Sequence, residues 1–295
     1  MDLFPLPIFP QGALRESVVT TVWVGIFVIS WFNLRLGWTY SGLVVPGYLV
    51  PLLLIKPLAA SVVLGEALLT YGLVWFISEW FSKAGRWSNV FGRDRFFAIL
   101  LASVALRLFI DGGALPAAAD YLNSVYHLQF DFHGNLHSFG TVVVALIANS
   151  FWKSGLKRGL IPFGTTLGIT MALVLYVLPT VTNFNLGGLE YMYEDFASSF
   201  LASPKAYIIL LTVAFVASRM NLLYGWEYSG ILIPALLALL WYEPTKILTS
   251  FVEALAVVAL ASAVLRLPYL RDWTIEGARK TMVFFNVSFA YKLLL

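Results

Sequence analysis

Apolar runs follow one another along almost the whole chain, at about 17–33, 40–55, 58–82, 96–110, 139–152, 160–180, 205–220, 228–242, 245–266 and 281–295. Only short polar linkers separate most of them. Runs of this length restrict the fold severely. In a bilayer every backbone N–H and C=O must be satisfied within the protein, so only α-helices and closed β-barrels cross it. These runs are longer than the roughly 9–11 residues of a barrel strand and do not alternate apolar with polar. Composition agrees. The chain is 60% hydrophobic and 12% charged, with a mean hydropathy of +0.82, whereas soluble domains carry about 25% charged residues. The sequence therefore reads as an all-α polytopic integral membrane protein of about 8–10 hydrophobic segments. It has no cysteine, which excludes a disulfide framework, a Cys-ligated metal and a thiol nucleophile.

Charge is distributed by linker. Three linkers are basic: Lys83, Arg86, Arg93 and Arg95; then Lys153, Lys157 and Arg158; then Arg266, Arg271, Arg279 and Lys280. Two longer ones are acidic or neutral, with Asp111, Asp120 and Asp131 in the first and Glu190, Glu194 and Asp195 in the second. The positive-inside rule places the basic linkers in the cytoplasm and the acidic ones outside. If every segment crosses, the amino terminus lies outside, and residues 1–16 read as a short external segment rather than a signal peptide.

The chain also contains an approximate copy of itself. Residues 33–46 (NLRLGWTYSGLVVP) match 221–234 (NLLYGWEYSGILIP) at an offset of 188, and apart from Leu34 the shared letters are Asn, Gly, Trp, Tyr, Ser and Pro rather than common aliphatics. Pro57 and Glu66 recur as Pro244 and Glu253 at offset 187, and Gly92, Arg95 and Arg107 as Gly277, Lys280 and Lys292 at offset 185. Two parallel repeat units follow, 17–111 and 205–295, flanking a middle segment, 112–204, of two helices and two outer loops. A fainter echo runs through Gly140 to Asn149, in the opposite direction across the membrane. Corresponding Gly/Pro-interrupted segments in two halves of a membrane protein point to a working site. This singles out Tyr40, Ser41, Gly42, Pro46 and Gly47, with Tyr228, Ser229, Gly230 and Pro234, and Asn149 in the echo. Proline frees a carbonyl one turn earlier, and that group cannot face lipid. These segments are thus either broken spanning helices or re-entrant hairpins. Either a half-helix terminus attracts anions there, or the break is a packing kink whose freed carbonyl takes a bond from a Ser or Thr hydroxyl.

Charges inside apolar runs need a reason, since each costs at least about 2.5–3.5 kcal/mol on insertion scales. Glu66 and Glu253 lie within helices; Arg107 and Lys292 are matched cations, and Asp111 follows Arg107 by one turn. One reading lines a polar path with them. The other pairs Glu66 with Arg107 and Glu253 with Lys292 purely for packing. Arg86, Arg93 and Arg95 set topology or dock an acidic partner or anionic lipid heads. His127, His133 and His137 with Asp131 lie in the outer loop; His133 and His137 have a metal-like i, i+4 spacing only if helical, and Gly134 and Asn135 argue against that. No Walker loop, His-Glu-x-x-His or Gly-x-Ser-x-Gly is present.

The string Gly42-Leu-Val-Val-Pro-Gly-Tyr-Leu49, the block Gly92-Arg-Asp-Arg-Phe-Phe-Ala-Ile-Leu…Leu-Arg-Leu-Phe-Ile-Asp111 and the block Leu146-Ile-Ala-Asn-Ser…Gly164-Thr-Thr-Leu resemble the PgsC/CapC family, the small membrane subunit of bacterial poly-γ-glutamate synthase. The likeness covers about 17–180; residues 205–295 look like a second copy of its first block. This two-block form is also similar to a multi-helix membrane domain usually fused to an inactive transglutaminase-like domain. Val144 and Ala145 stand where the third block would carry Pro-Gly. The resemblance implies a non-catalytic membrane subunit in the bacterial cytoplasmic (inner) membrane. It would support synthesis or export of an anionic poly-γ-glutamate-like polymer, beside a cytoplasmic ATP-dependent amide ligase and an extracytoplasmic subunit. It implies membrane lipid as the surroundings, and no catalytic residue, metal, cofactor or nucleic acid. Two other functions fit the residues alone: a small-solute secondary transporter coupled to ions through Glu66 and Glu253, and a membrane-embedded transferase.

Overall fold

A computed structural model describes residues 4–10, 14–38, 42–83, 92–127, 137–189, 204–225, 232–268 and 277–294. The described residues are helical almost throughout. Among the described residues twelve α-helices run in order: α1 (Val18–Leu36), α2 (Val45–Ile55), α3 (Pro57–Lys83), α4 (Gly92–Phe109), α5 (Leu115–Tyr126), α6 (His137–Ser154), α7 (Leu156–Ala172), α8 (Leu178–Val181), α9 (Pro204–Tyr224), α10 (Leu232–Leu239), α11 (Pro244–Leu265) and α12 (Ala278–Leu294). Single π-helical turns at Ile110–Ala114 and Leu173–Val177 join α4 to α5 and α7 to α8. Among the described residues, five helical stretches are long and apolar enough to cross a bilayer: Val18–Leu36, Pro57–Trp80, Arg95–Ala114, Leu156–Val181 and Pro244–Leu265. Shorter apolar helices cover Val45–Ile55, Val142–Ser154 and Tyr207–Met220. The chain is an all-α protein with membrane-spanning helices.

Local sequence explains the boundaries. The Ser17 hydroxyl accepts from Val19 N–H and caps α1. Gly37, at φ +66°, ends it in the left-handed conformation, its N–H returning to the Asn33 carbonyl. The turn is held by Asn33 and Trp38, which recur in the second match: Asn33 Nδ2 donates to the Trp38 carbonyl at 2.7 Å, and Trp38 stacks on Phe32, whose match is Met220. Gly225, the match of Gly37, ends α9 at φ +63°.

The chain divides into two compact units, Met1–Ile55 with Lys157–Met192 and Glu243–Leu295, and Lys56–Leu156 with Tyr193–Tyr242. In the first, α1 packs against α2 and α12, and α12 against α11. In the second, α9 packs against α10 and α4, and α4 against α3. These are the same neighbours at matched positions, because α9 and α10 follow α1 and α2 by 188 residues. The units therefore cut across the two sequence copies, each taking one helix pair from each. The second unit has an additional member, α6, lying on both α3 and α4.

The first unit's core joins Phe9, Leu14, Val24, Val50, Val174, Leu178, Phe184 and Phe289. Here the N-terminal segment is fastened to the residues after α8. Asn183 donates from Nδ2 to the Phe9 carbonyl at 2.8 Å and accepts Phe9 N–H at 2.9 Å, replacing a backbone ladder with a side-chain amide. Leu6 pairs with Thr182, and Asn185 Nδ2 donates to Glu16. The second unit's core brings Val74, Ile99, Leu100, Ala145 and Ala148 together with Leu210, Ala214 and Ala217 of α9.

Candidate functional site

Pro46 and Gly47 do not interrupt a helix; they lie in the first turn of α2, where α1 and α2 cross. A Cβ on Gly47 would lie 2.4 Å from Val22 Cα and 2.6 Å from the Thr21 carbonyl oxygen; one on Gly25 would lie 2.6 Å from Gly47 N. Backbone touches backbone here, which only glycine permits. The chain's course follows from this contact. Gly37 ends α1, yet Gly47 sits against Val22, about 14 residues or ~21 Å back along the helix. By the first turn of α2 the chain has thus returned toward the end at which α1 began.

Pro51 lies in α2, one turn after Gly47, and has no N–H to give to the Gly47 carbonyl. That carbonyl is met from outside: Thr21 Oγ1, fully buried, lies 2.8 Å from it and 2.8 Å from the Val18 carbonyl, so one hydroxyl proton serves both acceptors. Sequence reasoning missed Thr21 and Gly25. The signal that finds them is joint replacement in the second copy, where Thr21, Gly25, Gly47 and Pro51 correspond to Ile209, Val213, Ala235 and Leu239. A helix without the second proline frees no carbonyl and needs no hydroxyl.

In the second unit, Arg107 of α4 places Nη1 3.4 Å from Glu66 Oε2 of α3. The side chains are 2% and 3% exposed. Thr70, one turn after Glu66, and Asn149 of α6 are buried as well, and their side-chain oxygens accept no hydrogen bond from the described residues. Ser103, one turn before Arg107, donates to the Leu100 carbonyl. The arrangement is a sealed polar layer within three packed helices, and Arg107 presents almost no surface to a solute.

The matched residues are disposed differently. Glu253 of α11 is exposed, and no ion pair joins it to Lys292 of α12 among the described residues. Gly42 is buried ahead of α2, and Pro234 lies in α10. Arg93 and Arg95 open α4, and Asp111 falls in the π-helical turn. Lys153, in the last turn of α6, lies within electrostatic reach of Arg95, in the first turn of α4. Tyr40, Ser41, Arg86, Asp131, His133, Tyr228, Ser229 and Gly230 lie outside the described residues. His127 ends α5 and His137 begins α6.

A family model described as "Capsule biosynthesis CapC" matches residues 24–160 and 196–295, most of the chain and both sequence copies. The chain belongs to the CapC family. Two relatives are similar to it over about half its length. Capsule biosynthesis protein CapC of Bacillus anthracis is 32% identical over 155 residues, covering 51% of this chain and 89% of the relative. PGA biosynthesis protein CapC of Bacillus subtilis (strain 168) is 31% identical over 155 residues, with the same coverage. No solved structure matches. The CapC relationship accounts for the helical blocks that the sequence shares with that family; it assigns no chemistry to Glu66, Arg107 or the α1–α2 crossing.

Proposed function

We propose that this chain is a non-catalytic membrane subunit in the biosynthesis of a capsule-type, poly-γ-glutamate-like polymer, working with a cytoplasmic amide ligase in the bacterial inner membrane. The match of the CapC family across both 24–160 and 196–295 carries the reading. The site geometry supports a scaffold over a path through the named residues. Arg107 is spent on Glu66 in a layer closed to solvent, and the freed carbonyl at Gly47 is taken by Thr21. Neither group is left to hold a polymer carboxylate. The orientation with the amino terminus outside is supported by the N-terminal segment lying beside 182–189, as expected for two linkers poor in basic residues.

The test is genetic and biochemical together. Deleting the gene in its own host should abolish or strongly reduce the surface anionic polymer, and affinity purification from membranes should recover an ATP-dependent amide ligase. Unchanged surface polymer in the deletion strain would sink the proposal.

A further inference from the structure

Helix α11 repeats α3, and the comparison exposes a face with nothing on it. The buried side of α3 is formed by Ala60, Val63, Glu66, Ala67, Thr70 and Val74. The matched residues of α11, at offset 187, are Ile247, Ser250, Glu253, Ala254, Val257 and Ala261. Of these, Ser250, Glu253 and Ala254 are exposed, and only Ala261 is buried. The cause lies in the neighbours. Two helices cover α3, namely α4 and α6. Among the described residues, the helix packed against α11 is α12, the counterpart of α4, and no counterpart of α6 is present. The result is large: of the most apolar 18 residues in α11 6% are buried, against 33% of those in α3.

Lipid would account for most of that exposed surface. Leu248, Phe251, Val252, Leu255 and Val258 are apolar and suit acyl chains. It does not account for Glu253, near the middle of a 22-residue helix whose hydropathy, 2.2, is the highest of the spans. Ionisable side chains within a span face a protein interior or a water-filled cavity and take a partner there. At the matched place Glu66 has both: a cation and a covering helix.

We propose that the Ser250–Glu253–Val257 face of α11 is a docking surface for a transmembrane helix of a different membrane subunit, one that carries a Lys or Arg at the depth of Glu253. Charge selects the occupant. A second copy of this chain, related by an axis normal to the membrane, would set Glu253 against its own counterpart, and two carboxylates in apolar surroundings repel. A basic side chain instead reproduces the pairing that Glu66 makes with Arg107, while small Ser250 and Ala254 permit close approach of a helix. The inference rests on membrane placement and on the matched helices, and is independent of which polymer the complex makes.

Photocrosslinking in the native host membrane tests it. A benzophenone amino acid is introduced singly at Ser250 or Val257, and at Phe76 on exposed α3 as a control, and each adduct is located by peptide mapping. The expected product joins Ser250 and Val257, but not Phe76, to one membrane protein, at a residue within a helical turn of a Lys or Arg. Glu253→Lys at unchanged protein abundance should lower the adduct by about tenfold or more, as loss of a desolvated charge pair does. Reversing the partner's basic residue to Glu should restore it. Glu253→Gln, the milder variant, should give an intermediate loss. Adducts with lipid alone, with a second copy, or with another segment of the same chain would each overturn the proposal, as would an adduct insensitive to both Glu253 variants. Because the readout is the adduct and not the polymer, it separates failure of this interface from failure of the biosynthetic assignment.

Discussion

Four residues that share no motif act as one device at the α1–α2 crossing. Pro51 withholds an N–H, Gly47 is left with a free carbonyl, Thr21 fills it at 2.8 Å, and Gly25 with Gly47 brings the helices close enough for the bond. Thr21→Val should therefore destabilise the protein by roughly 1–3 kcal/mol, the penalty of a buried acceptor left unpaired, while Thr21→Ser should retain most of the stability. Pro51→Ala restores a donor to that carbonyl, so Thr21→Val should cost much less on a Pro51→Ala background. A double-mutant cycle by thermal unfolding in detergent reads the coupling; strict additivity would show that Thr21 and Pro51 do not share the carbonyl. Glycines are not equivalent either. Gly47→Ala puts a methyl 2.4 Å from Val22 Cα and should destabilise by about 1–3 kcal/mol through overpacking. Gly65→Ala, with nothing within 4 Å of its Cβ, should be neutral or stabilising by up to ~1 kcal/mol from helix propensity. Equal effects of the two would contradict the close crossing.

Between helices, the Glu66–Arg107 pair ties α3 to α4 under α6. With both side chains within 3% of full burial, removing one takes from the other the opposite charge that faces it. Arg107→Leu or Glu66→Leu alone should destabilise by roughly 3–5 kcal/mol, whereas the double replacement by Leu should recover much of that loss. Folded yield and melting temperature of the three variants measure this; a double variant as damaged as the sum of the singles would mean the two groups do not act as a pair. This pair is legible in the sequence, because a Glu and an Arg in successive apolar runs have few other partners. Gly47 and Pro46 are legible too, as breaks in a hydrophobic run. Thr21 is not, since a threonine in an apolar helix carries no mark of the carbonyl it meets 26 positions later; only the joint loss of four residues in the second copy betrays it. The exposure of Glu253 is equally hidden. Its letters match those around Glu66, and the difference comes from α6, a helix in another part of the chain.

Over the whole molecule, the long-range pairing of helices is what local sequence cannot express. Helices whose sequences match fall into different units: α1 and α2 lie with α11 and α12, while α9 and α10 lie with α3 and α4. Neither copy contains a complete set of its own neighbours. Trp23 stacks on Phe289 at 4.7 Å and donates from Nε1 to Asn286, and Ile99 and Leu100 are covered in part by Leu210, Ala214 and Ala217. A chain divided between 195 and 196, away from the residues that make these contacts, should therefore reassemble. With an affinity tag on fragment 1–195 alone, co-expressed fragment 196–295 should copurify with it, and Trp23→Ala combined with Leu100→Ala should weaken their association. Expressed by itself, fragment 1–195 retains α1 and α2 as well as the surface of α4 that α9 covers. Two such fragments can satisfy each other by the same exchange, α1 of one lying on α4 of the other, so the isolated fragment should be a dimer by light scattering in detergent. Cysteines placed at Val22 and Leu100 in a chain that has none of its own allow disulfide trapping of that dimer. Independent monomeric folding of the two fragments, without copurification, would show that the helix pairs do not exchange between the copies.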